Sequence, residues 1–369
     1  MRILLALLIS WPLSLWAVDV EIVYLKIERE HAPTLSNLDP IPDDLGQAGA
    51  LLGIADNNTT GKFLGQSYSL RIVYDPTEIG DGDMLILDAP DDEMRIIVDA
   101  HPSALFFNIA SFSDDLRGDN CRVNLLHTLP SFAMRADALM QFALKKNWRD
   151  LALISGHEPE DIEFANALRS SASKFQLNIT ADTEWVFDED LRRAASNEVP
   201  LFTQQLGDYE LLIVADERND FARYLAYNTW LPRPIAGGDG LLSVTWDRVM
   251  EQWGAAQLQS RFVELNGREM QDEDYAAWAA VRSIGEAVTR DHSDDVRSYL
   301  LSDEFELAGF KGAPLSFRNW DGQLRQPIGL VHSGAVVMMA PLEEFLHQHN
   351  PLDSLGVDRP QSQCKEFAQ

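Results

Sequence analysis

The chain is poor in cysteine and poor in base, and it has no long apolar run beyond its first seventeen residues. Only two of its 369 residues are cysteine. With no CxxC, HExxH or Cys/His cluster, a zinc site has no ligand set to build on. Lys and Arg number 30 against 58 Asp and Glu, a net charge of −28. An excess of that sign repels a phosphate backbone, and no basic patch with interleaved aromatics offsets it, which excludes nucleic acid as a partner. There is no G-x-S-x-G elbow and no dinucleotide glycine fingerprint. His127, His157 and His332 are scattered, without Ser and Asp partners at triad spacing. No catalytic residue, metal or cofactor is implied, and the chain does not read as an enzyme.

What is present begins at the N-terminus. Arg2, an apolar stretch from Ile3 to Ile9 and small residues towards Ala17 read as a secretory signal peptide cut after Ala17. The alternative is a membrane anchor, but Pro12 interrupts a run already short of the ~20 residues a span needs. No cysteine near the cut offers a lipid attachment point. The mature protein is therefore expected to be exported and soluble, without a direct membrane span, and one charge more negative once Arg2 is removed. In an oxidising compartment an even pair of cysteines predicts a disulfide between Cys121 and Cys364, two unpaired thiols being the alternative. It would tie the C-terminal tail to the first domain, with roughly 5 kcal/mol of loop-closure entropy in the chain-entropy model.

The chain turns on the stretch 103–156. An apolar strand over 105–109 and a second burst at Val123, Leu125 and Leu126 precede Ser131, which reads as a helix cap. Met134, Ala138, Leu139 and Phe142 follow at helical spacing, and Lys145 and Lys146 suit the helix's C-terminal dipole. The all-apolar strand 151–154 ends at Ser155 and Gly156. A strand buried on both faces, fed by a helix after another strand, marks a parallel α/β sheet. The passage leaves one α/β domain and enters a second.

Before it, strands are predicted over 18–27, 68–74 and 84–87. A helix capped by Asp44 is predicted to end in the turn residues 57–61, and the link 75–83 is too short for a crossover helix. After it come a helix over 159–175, a strand over 210–215, a short helix over 221–230, long helices over 246–265 and 274–290, and a short one over 293–301. The last third reads strand-turn-strand, with turns at 321–322 and 333–334, before an irregular tail. The fold class is α/β: two Rossmann-like lobes with parallel sheets.

In open parallel sheets, ligands bind beyond the carboxyl ends of the strands. Those positions are Asp88 and Ala89; Ala110, Ser111 and Ser113; Ser155 to His157; Asp216 and Glu217; and Gly238 to Gly240. Ser111 and Ser113 offer hydroxyls and nearby N–H groups to an oxygen ligand. Asp216 and Asp239 offer acceptors to an amine, hydroxyl or cation. Each residue type is equally at home as a loop or capping residue.

At this point the sequence resembles a known family. LGQAGALLGIADNNTTGKFLGQSYSLRIVYDP is similar to the opening of type I periplasmic solute-binding proteins of the branched-chain amino acid binding group. FVELNGREMQDEDYAAWAAVRSIGEAVTR resembles their returning helices and FKGAPLSFRNWDGQLRQPIGLV their closing strands. CRVNLLHTLPSFAMRADAL, LAYNTWLPRPIAGGDGLLSVTWDRVMEQWGAAQLQSRF and FLHQHNPLDSLGVDRP resemble a subfamily named as the binding component of an ABC transporter in a PQQ (pyrroloquinoline quinone)-dependent alcohol dehydrogenase system. The resemblance implies a signal peptide over 1–17, lobe 1 over 18–130 and 255–318, lobe 2 over 131–254 and 319–350, and a tail over 351–369. It implies three crossings at the hinge, a small-molecule ligand between the lobes, and an ABC permease as partner in the inner membrane of a periplasm-bearing cell. First-lobe contacts fall on Asp88, Ala89, Ala110, Ser111 and Ser113, and second-lobe contacts on Asp216 and Glu217. Asp239 stands where the amino acid binders receive an ammonium. Asp88, in place of a serine run, predicts a ligand other than a branched-chain amino acid. A neutral or cationic polar solute is expected ahead of the tricarboxylate PQQ. The alternatives are a periplasmic sensor or accessory protein of the dehydrogenase system and, behind it, an exported hydrolase.

Overall fold

The computed structural model describes residues 18–29, 41–186 and 194–368; the expected signal peptide lies outside the described residues. Two parallel sheets carry the fold. The first contains β1 (Val18–Lys26), β2 (Gln66–Val73), β3 (Met84–Asp88), β4 (Leu105–Asn108) and β5 (Leu125–His127), in the order β2-β1-β3-β4-β5. Helix α1 (Gln47–Leu64) joins β1 to β2, and α2 (Asp91–Ala100) joins β3 to β4. Position in the sheet explains the residue patterns. In central β1, the run Ile22, Val23, Tyr24, Leu25 is wholly buried because both faces are covered. Edge strand β2 alternates in its first half.

Helix α3 (Phe132–Lys145) then takes the chain out of that sheet. Ser131 caps it as its sequence predicts, the hydroxyl accepting from the Met134 N–H at 3.3 Å. The second sheet is built from β6 (Asp150–Ser155), α4 (Pro159–Lys174), β7 (Asn178–Glu184), α5 (Ala195–Thr203), β8 (Leu211–Ala215), α6 (Ala222–Leu225) and β9 (Ile235–Ala236), with strand order β7-β6-β8-β9. After β10 (Leu242–Val244) the chain returns to pack α7 (Ala255–Asn266) and α8 (Asp272–Thr289) on the first core. It adds α9 (Val296–Leu300) and the antiparallel strands β11 (Leu307–Ala308), β12 (Pro314–Phe317) and β13 (Leu324–Arg325). A third passage brings β14 (Ile328–His332) and β15 (Ala335–Ala340) into an antiparallel sheet with β10, against α3. Two lobes joined by three passages result.

The structure departs from the sequence reading in five places. Asp44 does not cap α1: the helix starts after Gly46 with no side-chain cap, and the Asp44 carboxylate pairs instead with Arg268 at 2.8 Å. Helix α1 continues through 57–61, which was expected to turn. The Asn57 amide donates to the Val281 carbonyl of α8 (2.9 Å), while Asn58 donates to the Tyr68 carbonyl and accepts from its N–H. Side chains that would otherwise bond the local backbone find partners on neighbouring elements instead. The expected helix over 246–265 is confined to α7, because the Trp246 N–H is taken by Asp272 (2.7 Å) and Trp253 and Gly254 have positive φ of 54° and 85°. The expected helix over 221–230 is a single turn, α6. The polar strand β7, half-exposed along its length, and α5 with its internal Pro200 carry no apolar periodicity that marks them in sequence.

Cys121 and Cys364 are joined as a disulfide across 243 residues, with Cα atoms 5.6 Å apart. No helix among the described residues is long and apolar enough to cross a membrane.

Candidate functional site

The loops at the carboxyl ends of β3 and β4 meet the first turns of α3 and α4 and the loop after β8. Loop 110–113 forms the first-lobe side, and its shape is dictated by Asn108, the last residue of β4. The Asn108 side-chain oxygen accepts from the N–H groups of Ala110 (3.0 Å) and Ser111 (2.9 Å), while its amide donates to the Ser111 carbonyl. The Ser113 N–H donates to the Ser111 hydroxyl at 3.1 Å. The N–H donors expected to hold a ligand oxygen are thus engaged within the loop.

Arg117, buried behind the same loop, ties it to the hinge. Its guanidinium donates to the carbonyls of Ser113 (2.7 Å), Ser111 (3.2 Å) and Leu129 (2.8 Å), and to the Gln323 side-chain oxygen (2.6 Å). Burial lowers its pKa to about 10, against the pull of Asp114 and Asp321, so it stays charged at neutral pH.

Asp88 is also engaged. It is buried, paired with Arg29 at 2.9 Å, and accepts from the Tyr24 hydroxyl at 3.1 Å. Burial, then the Asp88 charge, raises the Tyr24 pKa well above its ordinary value, so the phenol stays a donor. Arg29 also reaches the Ala110 carbonyl at 3.4 Å. Ala89 is buried in the first-lobe core.

On the second-lobe side, Arg135 of α3 is paired with Glu217 through two contacts of 2.5 and 3.2 Å, and its Nε donates to the Ser243 carbonyl. The guanidinium lies over the rings of Phe112 (4.7 Å), Phe132 (5.6 Å) and Phe164 (4.7 Å). Phe112 belongs to the first-lobe loop, so this stack joins the lobes by cation–π contact, worth about 0.5–2 kcal/mol per contact. Asp216 caps α6, accepting from the N–H groups of Asp220, Phe221 and Ala222 at 2.7–2.8 Å. Asp161, at the start of α4, accepts from the Glu217 N–H at 2.7 Å. Burial lifts Asp161 to about 7, and burial also raises Glu163, which the Ser113 hydroxyl holds back by hydrogen bonding.

Of the residues singled out in sequence, Asp88, Ala89, Ala110, Ser111 and Ser113 gather on the first-lobe side, and Asp216 and Glu217 on the second. Asp239 does not join them. It is exposed on the flank of the second sheet, lining a separate cavity of about 450 Å³ with Tyr227, Pro234, Trp148 and His332. Sequence reasoning missed Arg29, Arg135, Asn108 and Asp161. Asn108 carried a signal, a lone amide closing an otherwise apolar strand. Arg135 sits on the apolar stripe of α3, one residue after Met134, but nothing local betrays its three aromatic neighbours.

No protein-family model matches the sequence, and no curated protein matches it. Solved structures do. The leucine-, isoleucine-, valine-, threonine- and alanine-binding protein of Brucella ovis, in a closed conformation, superposes with a TM-score of 0.68 at 15% identity, over 85% of this chain and 89% of that one. A branched-chain amino acid ABC transporter periplasmic ligand-binding protein of Burkholderia xenovorans gives 0.67 at 16% identity, over 95% and 100%. An ABC transporter solute-binding protein of R. palustris in complex with benzoate gives 0.64 at 14% identity, over 95% and 100%. These likenesses show the two-lobe periplasmic binding protein fold, as the resemblance of the sequence implies.

Proposed function

We propose that the chain is an exported, periplasmic, non-enzymatic solute-binding receptor that delivers a small polar solute to an ABC permease. The observation that carries the reading is the convergence of loop 110–113 with the Arg135 and Glu217 pair. The carboxyl ends of two parallel sheets, one per lobe, come together there, which supports a ligand site between the lobes of the kind open α/β sheets carry. Neighbours of the same fold that bind amino acids or benzoate support it. Asp88, Ala89, Ala110, Ser111 and Ser113 would face the solute from one lobe and Asp216 and Glu217 from the other, with Arg29 and Arg135 added.

The charges of this cleft are already matched: Asp88 by Arg29, Glu217 by Arg135, and Asp216 by three backbone N–H groups. That favours a neutral polar solute, such as a small alcohol or its carbonyl product, over a zwitterion or PQQ. The tie to PQQ-dependent alcohol oxidation rests on the resemblance of the sequence alone. The second reading, a periplasmic sensor or accessory protein that feeds no transporter, is favoured by one observation, the engagement of the Ala110 and Ser111 N–H groups by Asn108.

Native mass spectrometry of protein purified from the periplasm without refolding tests the proposal. A discrete small bound mass, lost in Ser111→Ala and in Arg135→Gln, is expected. An empty protein with no thermal shift across alcohols, aldehydes, acids, amines and PQQ with calcium would overturn the importer reading in favour of the second.

A further inference from the structure

The end of the chain is gripped by both lobes. On the second lobe, Asp137 of α3 accepts from the Gly356 N–H at 2.7 Å, and Lys174 of α4 donates to the carbonyls of Ser354 (3.2 Å) and Gly356 (3.0 Å). Lys174 and Asp137 are themselves paired at 2.6 Å, and Leu355 is buried in the second core. On the first lobe, Arg318 lies between β12 and β13 and is 1% exposed. It donates to the Asp353 carboxylate (3.0 Å) and the Leu355 carbonyl (2.6 Å). Farther on, Cys364 is bonded to Cys121 in the segment before β5, and Phe367 packs on the first core.

We infer that residues 353–367 form a strap from lobe to lobe beside the hinge, and that the strap sets how far the cleft opens. The inference rests on the reading of the cleft as an opening ligand site. Lobes joined by a few passages are free to swing unless their interface is large and apolar. Hydrogen bonds at one end of the strap can let go, whereas the disulfide at the other end cannot. The eight Cα steps from Gly356 to Cys364 span at most roughly 27 Å when drawn straight. Part of that length is wound into the turn Arg359–Gln361, whose first N–H is held by Asp358 at 2.7 Å. Opening first breaks the Arg318 bonds to Asp353 and Leu355 and then unwinds this turn. Beyond it, the second-lobe grip of Asp137 and Lys174 must break, because the first-lobe anchor is covalent. Cutting the disulfide removes that stop and leaves the three hinge passages and the cleft residues untouched.

The test is a distance measurement across the ligand-free cleft by electron–electron resonance. Labels go on unnatural side chains at Phe63 of α1 and Leu201 of α5, which are 79% and 65% exposed. Three samples are compared: the oxidised protein, the same protein reduced with a phosphine after folding, and Cys121→Ser/Cys364→Ser. Reduction after folding keeps the comparison valid if the double variant fails to fold, and circular dichroism verifies that the reduced sample stays folded. The expected result is a bounded distribution in the oxidised protein and a new population beyond its longest distance once the disulfide is cut. Equally broad opening in all samples would overturn the strap and leave the receptor reading standing. A single short distance in all of them would overturn the strap and count against the receptor reading as well.

Discussion

Replacing Arg117 by methionine measures how firmly the first-lobe side of the cleft is built. Methionine keeps much of the buried stem and removes every donor. The Ser111 carbonyl retains its bond from Asn108 and the Leu129 carbonyl one from the Gln323 amide (3.0 Å), but the Ser113 carbonyl and the Gln323 side-chain oxygen are left without the Arg117 donor. Each acceptor orphaned in a buried site costs about 1–3 kcal/mol. Asp114 and Asp321 also lose a neighbouring positive charge. Breaking a buried charged network by removing one partner costs about 3–5 kcal/mol, which agrees with the sum over orphans once local relaxation is allowed. Two lobes need not unfold in one step, so a single melting temperature is a poor readout. Native-state amide exchange at 110, 111 and 113 reads the loop directly. At about 1.4 kcal/mol per factor of ten, exchange there should quicken by roughly 100- to 1,000-fold, with β7 unaffected. A change below about tenfold, with the fold intact, would refute the claim that Arg117 holds the loop.

Two further outcomes concern the buried carboxylates and the crossing of α1 with α8. Asp161, lifted to about 7 by burial, titrates near 4 in an unfolded chain. The folded state therefore holds this proton more tightly, so the contribution is fully present below about pH 4 and is lost as pH rises through about 7. Glu273, also lifted to about 7 by burial and by neighbouring Asp272, acts with the same sign. Urea midpoints should fall between pH 5 and 7.5, and Asp161→Asn should flatten that slope; an unchanged slope would refute the assignment. Separately, a Cβ at Gly49 would run into the Asp274 carbonyl where α1 crosses α8, whereas one at Gly82 meets nothing within 4 Å and bears only the strain of φ 81°. Gly49→Ala should cost about 3 kcal/mol by overpacking and Gly82→Ala about 1 kcal/mol, so equal denaturation midpoints would show that the α1–α8 contact is looser than it looks.

Periodicity and burial made the sheets legible. Central β1, β6 and β8 are apolar runs because helices or neighbouring elements cover both faces, and α3 declares itself through Ser131 and its stripe. What stayed hidden was written in tertiary partners. The residues 57–61 have every local mark of a turn, yet α8 and β2 supply bonds that keep them helical. Trp246 has the spacing of a helix start, but its N–H belongs to Asp272. The site was half legible for the same reason. Strand ends can be counted from the sequence, so Asp88, loop 110–113 and Asp216 could be placed. Whether their polar groups are free depends on Arg29, Asn108 and the first turn of α6. Asp239 follows a strand end as well, but β9 is only two residues long, and the bond from the Leu241 N–H to the Ile235 carbonyl folds the turn back along the sheet's flank.

If these residues line a ligand site, as proposed, their pairings decide what it can accept. To bind a carboxylate on Arg29, a solute must displace Asp88, which is 3% exposed and would be left buried with only the Tyr24 hydroxyl. Leaving one partner of a buried pair uncompensated costs about 3–5 kcal/mol, more than the roughly 1.5–3 kcal/mol that a new charge-assisted hydrogen bond returns. An ammonium that recruits Glu217 faces the converse problem. It would leave Arg135 without its bidentate partner, with only the Ser243 carbonyl and the cation–π contacts it already makes on three phenylalanine rings, worth about 2 kcal/mol at best each. A neutral hydroxyl or carbonyl breaks neither pair. It can accept from the N–H groups left on Arg29 or Arg135, or donate to the carboxylate oxygens they hold, and it adds to the network without dismantling it. On the proposed reading, the same bonding that disfavours amino acids would therefore favour neutral polar solutes.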